Sequence, residues 1–182
     1  MAYDVACFYK KCLENEYKST LELNKIADGL IEVVPAPGQT PPFVEAYIAA
    51  FNFPTLVKAG NQIRLQNGIR VLIKTEGSTL FSRRIQAQIP AGEPVPFHPN
   101  WWDSGLMDNG MERMEMHELI PFLQFVFYVL QFQERYVNPL SPSNVEAARY
   151  WIEHRNDPGA FPTDTHPFPQ LPERKKPKIV VR

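Results

Sequence analysis

The 182-residue chain carries 19 basic and 20 acidic residues, and its hydrophobic and charged fractions of 44% and 21% exclude wholesale disorder. From Glu173 onward five basic residues stand against one acid, so a net +4 sits in the last stretch and −5 in the remainder. A chain that is acidic outside one short segment is a poor candidate for general nucleic-acid binding.

The length suits one domain, or one domain with arms. Proline, at 18 residues, runs at about twice its usual frequency of roughly 5%. Aromatics are also abundant, with twelve Phe, seven Tyr and three Trp. Prolines hold segments extended, and aromatic side chains anchor such segments to a surface.

In chain order, Met1-Ala-Tyr-Asp-Val5 has no basic flank ahead of an apolar run, so no secretory or transit leader is expected. Two helices are predicted over 2–16 and 20–28. Ser19 with Glu22 has the spacing of a capping box, and Gly29 is a fitting stop. Cys7 and Cys12 fit no zinc or redox spacing and suit a reducing intracellular compartment. Pro35 to Pro42 reads as a stiff connector. Thr40 can then cap a helix that opens on Pro41 and Pro42, with Phe43, Tyr47, Ala50 and Phe51 on one face. Asn52-Phe53-Pro54 interrupts it, and a short turn runs to Gly60.

The period then changes to two. Ile63 and Leu65 alternate with Arg64 and Gln66, and Asn67-Gly68 is a strong hairpin signal. Ile69, Val71 and Ile73 form the next run. After a turn at Glu76-Gly77-Ser78, Phe81, Ile85, Ala87 and Ile89 form a third. The expectation is a three-stranded antiparallel meander over about 61–89 with one buried face. Its other face collects Arg64, Gln66, Arg70, Lys74, Arg84, Gln86 and Gln88, so Arg64, Arg70, Lys74 and Arg84 are candidate anion contacts. RNA-reading sheets stack bases on outward aromatics, and here Phe81 points inward, which favours an ordinary solvated or partner-facing surface.

Residues 90–109 are irregular, with four prolines and the pair Trp101-Trp102. That pair either plugs the loop onto the core or anchors it at a partner or bilayer surface. His98, Asp103, Asp108, His117 and Glu118 are possible metal ligands only if spacing is ignored: Pro121 stands where a zincin helix needs its second histidine. No phosphate loop or nucleophile elbow exists, and no metal or cofactor is expected.

Leu119 to Phe132 is apolar on nearly every side and belongs to a helix over about 118–135. These fourteen residues span about 21 Å, against the roughly 30 Å of a hydrocarbon core. Gln124, Tyr128, Gln131 and Arg135 form one narrow polar seam along it, joined by His117 if the helix passes Pro121 unbroken. Such a helix must be covered by its own core, a partner or lipid. Asn138-Pro139 ends it. Ser143 with Glu146 opens another helix over 142–154, and Asp157-Pro158-Gly159 stops that one. The proline-rich segment 157–182 then reads as an extended tail whose Phe161, Phe168 and Leu171 suit a neighbouring surface.

The expected fold class is α+β. An N-terminal helical pair (1–34) precedes helices packed around the small meander (41–156), and the tail (157–182) follows. The leading functional expectation is a non-catalytic structural or accessory subunit of a multiprotein assembly. It would dock on other protein subunits through Trp101, Trp102, Gln124, Tyr128, Gln131, Phe161, Phe168 and Leu171. The layout of one short apolar span followed by a proline-rich tail is similar in outline to single-span accessory subunits of mitochondrial respiratory complexes. That resemblance implies a membrane-associated alternative with 119–132 as the span. A third alternative is an anion- or RNA-binding module using the basic meander face.

Overall fold

Residues 5–76, 83–108, 118–162 and 165–172 are described by a computed structural model. The chain begins with one helix, α1 (Val5–Ile26), where two were expected. Tyr9, Leu13, Thr20, Leu23 and Ala27 are buried at spacings that stay helical straight through residue 19. Ser19 therefore caps nothing; its hydroxyl donates to the carbonyl of Asn15, one turn back inside the same helix. Asp28 and Gly29 both take positive φ angles, and the chain turns there as the glycine implied.

The sheet has four antiparallel strands in the order β1-β2-β3-β4, one more than expected. Two of the four were not expected, because the first two strands of the expected meander are one continuous strand. The first, β1 (Ile31–Pro35), buries Ile31 and Val33 between exposed Glu32 and Val34. β2 (Ala46–Ala59) replaces the helix expected after Pro42. Tyr47, Ala49, Phe51 and Phe53 are all buried, which is strand alternation; Phe43, assigned to the same helical face, is exposed outside the strand. Asn52-Phe53-Pro54 does not end β2. The register with β3 (Gln62–Glu76) slips there by one residue, a bulge that keeps the strand running past the proline.

The hairpin turn is Gly60-Asn61, whereas Asn67-Gly68 lies inside β3 facing the bulge. Gly68 has φ +77°, so its backbone freedom serves the irregular ladder and not a chain reversal. β4 (Arg84–Gln88) closes the sheet. The turn expected at 77–78 and the inward Phe81 lie outside the described residues.

Residues 90–109 are less irregular than their prolines implied. Trp101 bridges Met107, Trp102 N donates to Leu106 O, and Leu106 bridges Gln88 of β4. Two further passes of chain thus lie beside the sheet, joined by a three-residue loop that ends on Gly105 at φ +82°.

Helix α2 (Leu119–Leu130) is shorter than expected and lies over one face of the sheet. Its first turn tolerates Pro121, and the carboxylate of Glu16 on α1 accepts from Leu119 N at 3.1 Å. Leu119, Phe122, Leu123, Phe125, Val126, Phe127, Val129 and Leu130 are all buried. They join one core with Leu23 of α1, Ile31, Phe51, Ile73 and Ile85 of the sheet, and Phe168 near the C-terminus. Residues on both sides of 34–41 and 156–157, such as Val33, Val44 and Phe168, contribute to this one cluster. Among the described residues no helix is long and apolar enough to cross a membrane.

Helix α3 (Val145–His154) starts three residues later than expected. Asn144 is its cap, accepting from Ala147 N, while Ser143 donates to Asp108 instead. With Ala147 and Trp151, α3 packs on Leu56, Phe97, Phe132 and Val137 in a second cluster at the far end of the β2–β3 hairpin.

Candidate functional site

Each site expectation can be followed to its place. The polar seam of α2 is occupied, and its occupant is the chain itself. Gln131 accepts from His166 N at 2.5 Å and donates to His166 O at 3.3 Å, so its amide pairs with a backbone as a strand would. Tyr128 OH accepts from Phe168 N at 3.3 Å, and the Phe168 ring packs edge-on against Phe127. Phe161 lies between Phe132 and Tyr150, and Leu171 packs on the main core. Gln124 is half-buried one turn before Tyr128, and Arg135 lies beyond α2, its guanidinium over the rings of Tyr128 and Tyr136. Gln131, Tyr128, Phe161, Phe168 and Leu171 were expected to meet a partner; within this chain they hold the segment 165–172 on α2. Residues 173–182 and His117 lie outside the described residues.

The metal candidates disperse in the same way. His98 is fully buried; its Nδ1 accepts from Asn100 N, and burial holds the imidazole down to about 3, so it is neutral. Asp103 accepts from Asn144 and Asp108 from Ser143. Glu118 is exposed at the start of α2. Among the described residues no group of three His, Cys, Asp or Glu could hold a metal ion.

The most charged interior feature is structural. Arg83, 2% exposed, meets Glu16 through two bonds of 2.6 and 2.5 Å, and Glu16 also receives Leu119 N. One carboxylate thereby ties α1, the entry to β4 and the start of α2 together. Tyr47 OH lies buried near this pair without a hydrogen-bond partner among the described residues, and burial first, then Glu16, pushes its phenol up.

Two open clefts of about 400 and 430 Å³ flank α3. The first is walled by Phe132, Trp151 and Phe161, with Arg155 already stacked over Trp151. The second has its charges paired within the chain: Lys58 with Glu146, Glu93 with Arg70, and Asp103 with Asn144.

The face of the sheet turned away from α2 differs. The register places Val34 beside Ile48, Ile48 beside Leu72, and Leu72 beside Gln88. The bridge adds Leu106 to that row, and the Trp102–Leu106 backbone bond adds Trp102. Directly opposed residues in an antiparallel ladder share a face. The six therefore form one row across the open face, roughly 24 Å long at ~4.8 Å per strand. Val34 is 41% exposed, Leu106 36% and Trp102 46%, while Ile48 and Leu72 are partly exposed between Ala46 and Ala50. Trp101, by contrast, is buried on the core side. The pair splits: one ring plugs the core, the other joins the open face.

This face is less basic than its outward residues suggested. Arg70 is ion-paired with Glu93, and Glu32 lies at the same level two strands away, across Ala50. Arg84 is directly opposite Glu76. Lys74 stands opposite Ala46 and Gln86, with no acid directly across from it among the described residues. Arg64 does not belong to the group at all: it lies six residues before Arg70, roughly 20 Å away along β3 and beyond the bulge. Sequence reasoning missed Val34, Ile48, Leu72 and Leu106, because none has a large apolar residue two positions away on its own side of the strand, and only the register aligns them.

The chain matches no protein-family model, and no curated protein is significantly similar to it.

Proposed function

We propose that this chain is a non-catalytic interaction subunit that meets a protein partner through the open face of its sheet. The row from Val34 to Trp102 carries the reading. Five of its six side chains are apolar: Val34, Ile48 and Leu72 adjoin across β1–β3, Leu106 and Trp102 adjoin beyond Gln88 of β4, and Val34, Leu106 and Trp102 are exposed. Exposed contiguous apolar surface of this kind marks association sites. Gln88 in the row and Lys74, Gln86 and Arg84 below it supply a polar border, as interfaces usually have. The docking route differs from the one the prolines suggested: the aromatic anchors of 157–172 are spent on the chain's own α2 and α3, so the partner surface is the sheet.

Site-specific photo-crosslinking in cells tests the reading. A benzophenone side chain at Gln88 should give a protein adduct of defined mass, removed by Leu72→Asp, while the same probe at Ile152 on α3 gives none. Absence of any adduct from Gln88, Leu106 and Val34 would overturn the proposal.

A further inference from the structure

We infer that the occupant of the open face is a second copy of this chain, the two sheets packing face to face about a two-fold axis that runs parallel to the strands between β3 and β4. The inference rests on the interaction reading above and names its partner. Two-fold dimers use one patch twice, so the patch must complement itself under the rotation. Of the axes parallel to the strands, only the one at the midpoint of the row pairs all six positions, whereas an axis along the row itself would set Lys74 against Arg70.

Placed there, Val34 meets Trp102 of the other copy, Ile48 meets Leu106, and Leu72 meets Gln88. The charges then fall into register without being asked to. Lys74 faces Gln86, and Glu76 faces Arg84, twice over by symmetry. No like charges meet among these positions.

The steric demands are also met. Aligned sheets pack about 10 Å apart, with side chains of the two inner faces interdigitating. Ala46 and Ala50 flank Ile48 on β2 and leave room for the incoming Leu106. The opposite face of the same strands is closed by α2, so this is the side on which a second layer can add. A nucleic acid would need cations that are not already faced by carboxylates, and Arg70 and Arg84 are. The face measures roughly 24 Å by 13 Å, smaller than the ~800 Å² per partner of a standard interface, so the contact belongs to the weak, transient class.

Light scattering coupled to size exclusion, run on the full chain up to about 100 μM, should show a concentration-dependent dimer. Ile48→Asp and Trp102→Asp should each weaken it about tenfold or more, with unchanged far-UV circular dichroism, while Ile152→Asp leaves it intact. Two variants are used because Trp102, the more exposed, tolerates a charge without loss of fold. The register is read by bifunctional thiol crosslinking in a Cys7→Ser, Cys12→Ser background, with a bismaleimide that spans the ~10 Å between packed sheets. Val34→Cys with Trp102→Cys should give a covalent dimer. Within one copy those sites are roughly 24 Å apart, beyond that reach, so any link between them is between copies. Val34→Cys with Ile152→Cys should give none.

A monomer at all concentrations, or a dimer indifferent to Ile48→Asp and Trp102→Asp, overturns the second copy. If the monomer still gives a foreign adduct from Gln88, the interaction reading stands alone. If it gives none, both fall.

Discussion

β3 presents two surfaces made from alternate residues of one strand, and they obey different rules. Ile69, Val71 and Ile73 point into a core closed by α2, and each is 2% exposed or less. Arg70, Leu72 and Lys74, the residues between them, face water. On the covered side the apolar residues have satisfied their demand within the chain, through Phe51, Phe53 and Phe127 packed ring against ring. On the open side Leu72 belongs to a mostly apolar row that nothing in the described chain covers. The lesson is that hydrophobicity alone does not locate an interface; register does, by showing which apolar residues remain after the fold has used its own.

The sharpest way to break that contrast is within a pair of neighbours. Ile73→Ala should cost about 2–5 kcal/mol in urea unfolding, because it opens a cavity against a face that cannot collapse. A cost below ~1 kcal/mol would mean the covered face is not packed as described.

The buried pair behind that face should respond almost as strongly. Arg83→Met leaves the partly buried Glu16 without this cation at the junction of α1, β4 and α2, and should cost about 3 kcal/mol. A second substitution, Glu16→Leu, should recover part of the loss, since an apolar replacement of both partners leaves no unpaired charge. Non-recovery in the double variant would show that the two residues do not act as a pair.

These effects concern features that were unequally visible in the sequence. The apolar run of α2 and its glutamine-tyrosine seam were legible, because helical spacing is local and the run is long. The occupant of the seam was not, since Gln131 and His166 are 35 residues apart and no pattern links them. β2 was misread for a related reason: Phe43, Tyr47 and Phe51 fit a helical period as well as Tyr47, Phe51 and Phe53 fit a strand, and Pro54 argued against a strand. The bulge beside Pro54 removes that objection, but only β3 reveals the bulge. Asn67-Gly68 pointed to a turn by its chemistry, and the positive φ it provides is used opposite the bulge instead. The basic face was half legible, its cations plain and the carboxylates that face them scattered from Glu32 to Glu93.

The seam offers a test of intermediate size. Gln131→Ala removes both bonds to His166 and leaves its backbone groups partly buried, at a cost of about 1–3 kcal/mol. The local consequence should exceed the global one: amide exchange at residues 165–170 should accelerate while the exchange of β2 and β3 does not. Uniform acceleration throughout would show that the segment is integral to the core and not held on its surface.

His98 supplies a pH-dependent effect of about 1 kcal/mol. Its folded-state pKa lies near 3, below the ordinary 6.5, so the unfolded chain binds the proton more readily. The contribution is full above about pH 6.5 and is lost as pH falls from there toward 3. Between pH 7 and 5.5 the chain should lose roughly 1 kcal/mol of stability on this account. His98→Leu should flatten that part of the profile. A slope unchanged in the variant would assign the pH dependence to other groups.

The smallest expected effect completes the comparison from its open side. Leu72 adjoins Ile73 in the chain, has the same number of carbons, and sits in the same strand under the same backbone constraints. What differs is the face. Leu72→Ala removes a side chain that is partly in water already and leaves no sealed cavity, so the isolated chain should lose no more than about 1 kcal/mol. Trp102→Asp, more exposed still, should stay within about 0.5 kcal/mol in the same unfolding experiment. Stability and association are thereby separated: the covered-face variant loses the fold, and the open-face variants keep the fold while losing the partner. If Leu72→Ala were as damaging to the isolated chain as Ile73→Ala, the open face would be covered from within the chain, and the row from Val34 to Trp102 would be core.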